Sequence, residues 1–558
     1  MKRIQFVIIA LLFTLTSISQ TAPGKYWIRF SDKNNSIYSL SNPAIFLSEK
    51  SIERREKFSI PFDERDLPVN ENYIDQVIQT CNCSIHNKSK WFNAVTISTD
   101  DTTVLEALAA LPFVIELRMV HTFSNEQDQF LEKDNRSIDS ITDTFDSDAC
   151  LGYEQYGPSF RQISMLNGHL LHSLGYTGFG IDIAQFDAGW SETNNLPAFE
   201  KLRHEGKIKM TRDFVYGDAV YDLSTHGTYV LSTMAGDIKD SLIGTAPDAN
   251  YYLFRTEDPQ SEHLVEEDNW VAAAELCDSL GIDIINSSLG YSEFQFSDNN
   301  HTYSDMDGNT TRCSIAADIA AEKGILVVNS AGNSGNNAWR YITAPSDGDS
   351  VLCVGAVDKN THHAFFSSYG PSSDGDVKPD VVTMGLATVF AALDSTISTG
   401  NGTSFSSPIM AGMAACLMQA FPKKNNIEIL HAIRESAHRF NTPTDSLGYG
   451  IPDLLKAYFL LGGNQQKTFG DFEAIVFPNP CIDNLNVIML NARHCNVSYE
   501  IYDALGHRIY ENTGITQFEN TAVLKIDNII GQLSSGNYTL HLGRAGEHSV
   551  VHFQKVNR

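Results

Sequence analysis

A few polar residues of this chain stand where an acyl-transfer reaction would need them. Ser404 lies in Asn401-Gly-Thr-Ser404-Phe-Ser-Ser-Pro408-Ile-Met-Ala. The stretch that follows, Met410 to Ala420, is apolar or small nearly all round, the pattern of a buried helix. Gly402 lets backbone approach closely, and Pro408 is placed in the first turn, where its missing N–H costs little. A hydroxyl at the mouth of such a helix has unpaired N–H groups and the positive dipole end beside it. Those surroundings suit an oxygen attacking a carbonyl that is turning into an oxyanion. Taken alone, the stretch also fits an ordinary serine cap.

Serine needs a base. Among 17 histidines, His226 alone opens a helical pattern between small residues, Ser224-Thr-His226-Gly-Thr-Tyr-Val-Leu-Ser-Thr-Met-Ala-Gly236. The glycine directly behind it leaves room for a substrate backbone. His362 and His363 stand in a polar stretch and read as structural. The base in turn needs a carboxylate to orient it. Asp187 ends the apolar run Ile181 to Phe186 and precedes Ala188-Gly189, although a strand-end aspartate taken alone is equally a cap or turn residue. Asn333, in Val327-Val-Asn-Ser-Ala-Gly-Asn333-Ser-Gly335, offers an amide donor between glycines.

The elements that must position these groups alternate in type. Ile181 to Phe186 reads as a strand, Trp270 to Leu280 as a helix closed by Gly281, and Ile282 to Asn286 as the next strand. Ser314 to Lys323 repeats the helix, closed by Gly324; Ile325 to Asn329 and Val351 to Val357 repeat the strand. This order predicts an α/β domain, a parallel sheet with helices on both faces. Asp187 and Asn333 leave strand ends while His226 and Ser404 open helices, so all four can meet on one rim of that sheet, where ligand sites form.

The order Asp, His, Asn, Ser along the chain resembles that of the subtilisin-like serine proteases. The likeness covers about Leu151 to Gly462 and includes the closing turn Gly448-Tyr-Gly-Ile-Pro-Asp453. It implies a serine endopeptidase with Ser404 as nucleophile, His226 as general base and acid, Asp187 fixing the imidazole, and Asn333 with the Ser404 N–H as oxyanion hole. It also implies that Ser288-Leu289-Gly290 is a substrate-binding edge and Ser330-Ala331-Gly332 the opposite wall of a specificity pocket. Small residues there suggest room for a fairly large, uncharged side chain. Three departures stand out: Ala188 where the family has a hydroxyl, Tyr229 where a second histidine is common, and Phe405-Ser406 where Met-Ala is usual. No cofactor is required by this chemistry; calcium is allowed by the resemblance, with Asp305 and Asp307 in the Ser292 to Cys313 insertion as candidate ligands, although their spacing fails the EF-hand pattern and a solvated loop is the other reading. A catalytically silent surface-binding protein on the same fold is the alternative function.

At 558 residues the chain is long enough for several domains. Residues 1–20 read as a signal peptide, with Lys2-Arg3, an apolar run from Phe6 to Leu15 and a small, polar end. Residues 21–123 suggest a small α+β domain with strands at Tyr26 to Phe30, Ala94 to Ser98 and Val114 to Val120 and a helix at Thr103 to Ala110. Its place resembles that of an inhibitory propeptide; an unrelated interaction domain is the other reading. Residues 124–150 are an acidic linker, 151–462 the catalytic domain, and 463–558 a small β-sandwich of about seven short strands. Val476-Phe-Pro-Asn-Pro480, Ile501-Tyr-Asp-Ala-Leu-Gly506, Leu533-Ser-Ser-Gly-Asn-Tyr538 and Lys555 resemble the type IX secretion C-terminal sorting domain, with a partner-binding sandwich as the alternative. The resemblance implies the type IX machinery as a partner, protein or peptide substrates, and a secreted or cell-surface location.

The net charge of −28 would repel phosphate backbones, so nucleic acid is not expected as a partner. No run after the leader reaches the ~18 apolar residues of a membrane span. Nine cysteines are too few for a disulfide scaffold. Cys277 with Cys313, and Cys481 with Cys495, are candidate bridges by proximity; Cys353 and Cys416 read as buried thiols, and Cys81-Asn-Cys83 with His86 as either a structural feature or a metal corner.

Overall fold

The computed structural model describes residues 24–122, 156–463 except 218, and most of 469–557, with gaps at 473, 478, 484, 491–496, 515–520, 527 and 545. The leader (1–20) and the acidic linker (124–150) lie outside the described residues.

Four antiparallel strands, β1 (Gly24–Phe30), β2 (Ser84–Ser89), β3 (Ala94–Thr99) and β4 (Val114–Thr122), form an N-terminal sheet in the order β2-β3-β1-β4. Three helices accompany it: α1 (Glu49–Phe58), α2 (Glu71–Cys81) and the short α3 (Leu105–Ala109), which a 3-10 turn introduces. Residues Ile74 and Val77 of α2 pack on Tyr26, Ile28, Val95 and Ile97 of the sheet.

The second domain is built on seven strands: β5 (Asp182–Asp187), β6 (Ile208–Asp213), β7 (Asn250–Arg255), β8 (Ile284–Ser287), β9 (Leu326–Ser330), β10 (Val351–Val357) and β11 (Val381–Met384). They are parallel, in the order β11-β10-β9-β8-β5-β7-β6. Strand alternation sorts the apolar residues onto two faces. Ile183, Ile284, Leu326, Val328, Leu352 and Val354 join one core with Ile409, Met413 and Leu417. Ala184, Phe186, Ile285, Val327 and Val351 join the other with Trp270, Ala273 and Ala316. Those partners lie in α5 (Val265–Leu280), α6 (Arg312–Glu322) and α7 (Thr403–Ala420), and Leu231 and Met234 of α4 (His226–Ala235) join the first core. The expected start of α5 at Trp270 is corrected: Glu266, Glu267 and Asp268 form an acidic first turn, which the helix dipole favours.

The N-terminal domain sits on α5 and α6. Trp27, Trp91, Ala94 and Val120 enter the same core as Trp270 and Ala316. Polar contacts fix the register. The Glu275 carboxylate accepts from Ser89 Oγ (2.6 Å), Lys90 N (2.7 Å) and Trp91 N (3.0 Å). Fully buried Asp278 meets Arg55 at 2.6 Å, Lys90 at 2.8 Å and Arg54 at 3.2 Å. Burial alone would raise its pKa, but Lys90, Arg55 and Arg54 hold it well below the usual carboxylate range. Removing one partner of such a cluster costs roughly 3–5 kcal/mol.

The cysteine expectations change. Cys81 and Cys83 form a disulfide, and His86 instead faces Asn269 Oδ1 at 2.9 Å. Cys277 and Cys313 are free, because each is buried in apolar packing without being joined to the other; Cys481 is likewise free, and Cys495 lies outside the described residues. Cys353 and Cys416 are buried thiols. The C-terminal part holds a five-stranded and a three-stranded antiparallel sheet around Val487, Ile501 and Leu540. Among the described residues no helix is long and apolar enough to cross a membrane.

Two histidines make the docking pH-sensitive. Burial, then Lys25, draws His86 down to about 4, and burial, then His263, draws His121 down to about 3. His121 packs against His263 with ring centroids 4.0 Å apart and the rings tilted by 53°. Because the docked form disfavours the proton, docking is strongest above the ordinary histidine value of 6.5 and weakens as pH falls toward 4. Once the chain between the domains is cut, dissociation at about pH 5 should exceed that at about pH 7.5 by at least on the order of tenfold. Gel filtration of the cut complex checks this; equal co-elution at both values would contradict it.

Candidate active site

Asp187, the last residue of β5, is wholly buried. A buried carboxylate must be satisfied where it stands. Oδ1 accepts from the Ala188 N–H at 2.8 Å, and Oδ2 from Gln185 Nε2 at 3.2 Å. Gln185 lies two residues back on the same strand face and also donates to Gly227 O at 3.0 Å, tying β5 to the start of α4. These two donors do the holding that a hydroxyl at position 188 would do.

His226 opens α4, and its Nδ1 lies 2.5 Å from Asp187 Oδ1. A carboxylate only accepts, so Nδ1 carries the proton and Nε2 presents a lone pair. Nε2 is buried and has no hydrogen-bond partner among the described residues. Gly227 permits this approach: a Cβ there would lie 2.4 Å from Gly189 O and 2.9 Å from the Trp190 ring.

Ser404 is the second residue of α7, behind Gly402, whose φ is +154°. The serine lines a cleft of about 420 Å³ with His226, Asn333, Ser288, Leu289, Gly290, Ser330 and Gly332. Asn333 Oδ1 accepts from Thr403 N (2.8 Å) and Thr403 Oγ1 (3.0 Å), which turns Nδ2 away from that contact. A methyl group on Gly402 would sit 3.6 Å from both Ser404 N and Ser404 Oγ and 3.7 Å from Asn333 Nδ2. Two donors and one hydroxyl therefore face one small space. Ala331 does not face the cleft; it is buried with Ile342 and Cys353. Glu257, Pro259 and Glu262 line another side.

Pro408 is six residues into the helix, not in its first turn, and this corrects the earlier placement. With no N–H it cannot bond Ser404 O, four residues back. Ser288 Oγ does so instead, at 3.0 Å. Ser288 thus also holds the backbone carbonyl of Ser404.

The Asp305 and Asp307 carboxylates both make local hydrogen bonds. Asp305 accepts from Thr302 N (2.7 Å) and Thr302 Oγ1 (2.8 Å), and Asp307 from Asn309 N (2.9 Å) and Thr310 Oγ1 (3.0 Å), so each serves its own turn. Phe294 and Met306 anchor that insertion in the core.

Comparison with known proteins decides the family: residues 180–450 match the Subtilase family. This stretch is a subtilase domain. Residues 25–135 match a peptidase S8 propeptide domain of Bacteroidota, and residues 475–555 a secretion system C-terminal sorting domain. The sorting domain marks the protein as secreted or held at the cell surface. Subtilisin-like protease SBT6.1 of Arabidopsis thaliana is 28% identical over 335 residues, 57% of this chain and 29% of the relative. Membrane-bound transcription factor site-1 protease of Rattus norvegicus is 28% identical over 313 residues, 54% of this chain and 27% of the relative. The matches thus span less than a third of those two relatives. Subtilisin DY of Bacillus licheniformis is 27% identical over 291 residues, 52% of this chain and 93% of the relative. The solved prenylagaramide maturation protease PagA aligns at 23% identity with 53% of this chain and 99% of its own, TM-score 0.42.

Two departures from the subtilase pattern prove to be linked. Tyr229 packs on Phe390 with centroids 4.5 Å apart, and Phe390 stacks on Phe405 at 5.4 Å. One aromatic column therefore fills the space between α4 and α7, and it keeps the two helix starts in register.

The Pro408 arrangement is testable. Ser288→Ala should lower stability by about 1–2 kcal/mol, by leaving Ser404 O buried without a donor. Adding Pro408→Ala restores a helix N–H and should recover about 1 kcal/mol, read from urea unfolding. Additive effects of the two substitutions would refute the shared acceptor.

Proposed function

We propose that the chain is a secreted serine endopeptidase that cuts protein or peptide substrates outside the cell. The carrying observation is His226, clamped at Nδ1 by Asp187 with Nε2 left open in the cleft that Ser404 lines.

In this reading Ser404 Oγ attacks the scissile carbonyl as His226 Nε2 takes its proton. Asp187 keeps the imidazole in the tautomer that can accept, and stabilises the imidazolium. The tetrahedral oxyanion enters the space before Gly402, where the Ser404 N–H and Asn333 Nδ2 donate. His226 then passes its proton to the leaving amine, and water repeats the sequence on the acyl-enzyme.

The N-terminal domain fits an inhibitory role. Strand β4 ends at Thr122, where the His121 ring packs at a tilt against His263, next to the cleft residue Glu262. β4 thus ends beside a cleft that an inhibitory domain would have to leave. Engagement of the type IX machinery by the sorting domain completes the proposed path out of the cell.

A fluorophosphonate probe should label the processed protein and fail to label Ser404→Ala. Absence of labelling in processed wild-type protein would defeat the reading. Ser404→Ala should also accumulate a precursor that retains the residues before Cys150, seen by mass spectrometry; normal processing in that variant would assign the cut to another protease.

A further inference from the structure

The turn that carries the chain out of β5 after Asp187 is held at three successive carbonyls. Asp187 O accepts from Thr256 N at 3.1 Å, Ala188 O from Arg255 Nε at 3.2 Å, and Gly189 O from Gly227 N at 3.0 Å. The first and last donors are backbone groups; the middle one belongs to a side chain. The Ala188 N–H also donates to Asp187 Oδ1, and Gly227 directly follows His226 in α4. This turn therefore sets the carboxylate against the imidazole. Arg255, at the end of β7, is 1% exposed and does not line the cleft.

A buried guanidinium must be neutralised where it stands. Strand register places Asp187, Arg255 and Asp213 side by side on β5, β7 and β6, with Arg255 paired to both neighbours. The cation thus stands in the middle of a row with a carboxylate on either side. It bonds the outer one: Arg255 Nη1 donates to Asp213 Oδ2 at 3.0 Å. Asp213 is itself fixed, its Oδ1 accepting from Val215 N at 2.8 Å. Asp258 lies further off, 3.8 Å from Arg255 Nη2, and its Oδ2 accepts from the Tyr216 hydroxyl at 2.6 Å. The Asp187 oxygens meanwhile accept from His226, Ala188 and Gln185. The row is divided into two pairs, Asp213 with Arg255 and Asp187 with His226. A guanidinium released from Asp213 would compete with His226 for Asp187, because its fork of donors matches a carboxylate better than one imidazole N–H does.

We infer that Arg255 and Asp213 are a positioning pair for the proposed reaction. Arg255 pins the turn after Asp187, and Asp213 holds the guanidinium to that task and away from Asp187. The inference rests on the peptidase reading and deepens it by adding two residues that act through Asp187 without touching substrate.

The test uses the full chain, purified after processing. It reads kcat per active site on a short chromogenic peptide, with sites counted by fluorophosphonate labelling taken to completion, so that misfolded protein does not enter the count. Arg255→Lys keeps the buried charge but replaces the fork with a shorter point charge. Its kcat should fall about fivefold or more, with KM within about twofold of wild type. Asp213→Asn releases the guanidinium, and kcat should fall about 100-fold. Arg255→Met/Asp213→Asn removes the cation together with its counter-ion. Its kcat should lie about tenfold below wild type and about tenfold above Asp213→Asn. Activity that rises when a second substitution is added is the mark of competition for Asp187.

A kcat of Arg255→Lys within about twofold of wild type would overturn the inference. So would a double variant no more active than Asp213→Asn, or variants in which KM changes and kcat does not. Arg255→Lys, which preserves the charge balance, decides the matter if a neutralised variant fails to fold. A labelled, active wild type with the wrong ratios among the variants sinks the positioning pair alone, whereas a wild type that neither labels nor turns over peptide sinks the peptidase reading.

Discussion

The buried carboxylate of Asp187 is the constraint on which the rest of the site depends. A charge with no exposed surface is tolerated only when fixed donors surround it. Here those donors are the Ala188 N–H, the Gln185 amide and His226 Nδ1. Gln185 belongs to β5 itself and Ala188 follows it directly, so the central strand and its first residue beyond set the carboxylate before α4 brings the imidazole. Gly227 then decides how close α4 can come, because any side chain there would meet Gly189 and Trp190.

From that fixed point the remaining groups follow through packing. The aromatic column Tyr229, Phe390 and Phe405 links α4 to α7. Ser288 reaches from the end of β8 to the Ser404 carbonyl, and Asn333 reaches from the end of β9 to Thr403. Strand ends thus hold both sides of the first turn of α7. Ser404 and the donors beside it are placed by rigid elements, an arrangement that would suit electrostatic stabilisation without reorganisation during reaction.

The parallel sheet was legible because strands buried on both faces read as near-continuous apolar runs. Asp187, His226, Asn333 and Ser404 were legible as candidates because each stands at the end or start of such an element. The N-terminal helix α1 was not. Its buried residues are Ser51, Arg54 and Arg55, and the two arginines reach Asp278 of the neighbouring domain, so apolar periodicity carried no signal. Gln185 could have been found from its two-residue spacing to Asp187 on one strand face. Thr343, which lines the cleft against Gly290, could not, since nothing in its neighbourhood along the chain shows that Gly290 folds against it. The Cys277 and Cys313 pairing failed for a similar reason: nearness in sequence says little about two residues on separate helices.

The central claim, that Asp187 fixes the His226 tautomer for Ser404, is tested most directly by kcat of Asp187→Asn on a cleavable peptide. The substitution preserves shape while inviting the opposite tautomer at Nδ1. The account predicts a loss on the order of 10⁴-fold, with an unfolding midpoint close to wild type. Activity within about tenfold of wild type would contradict it.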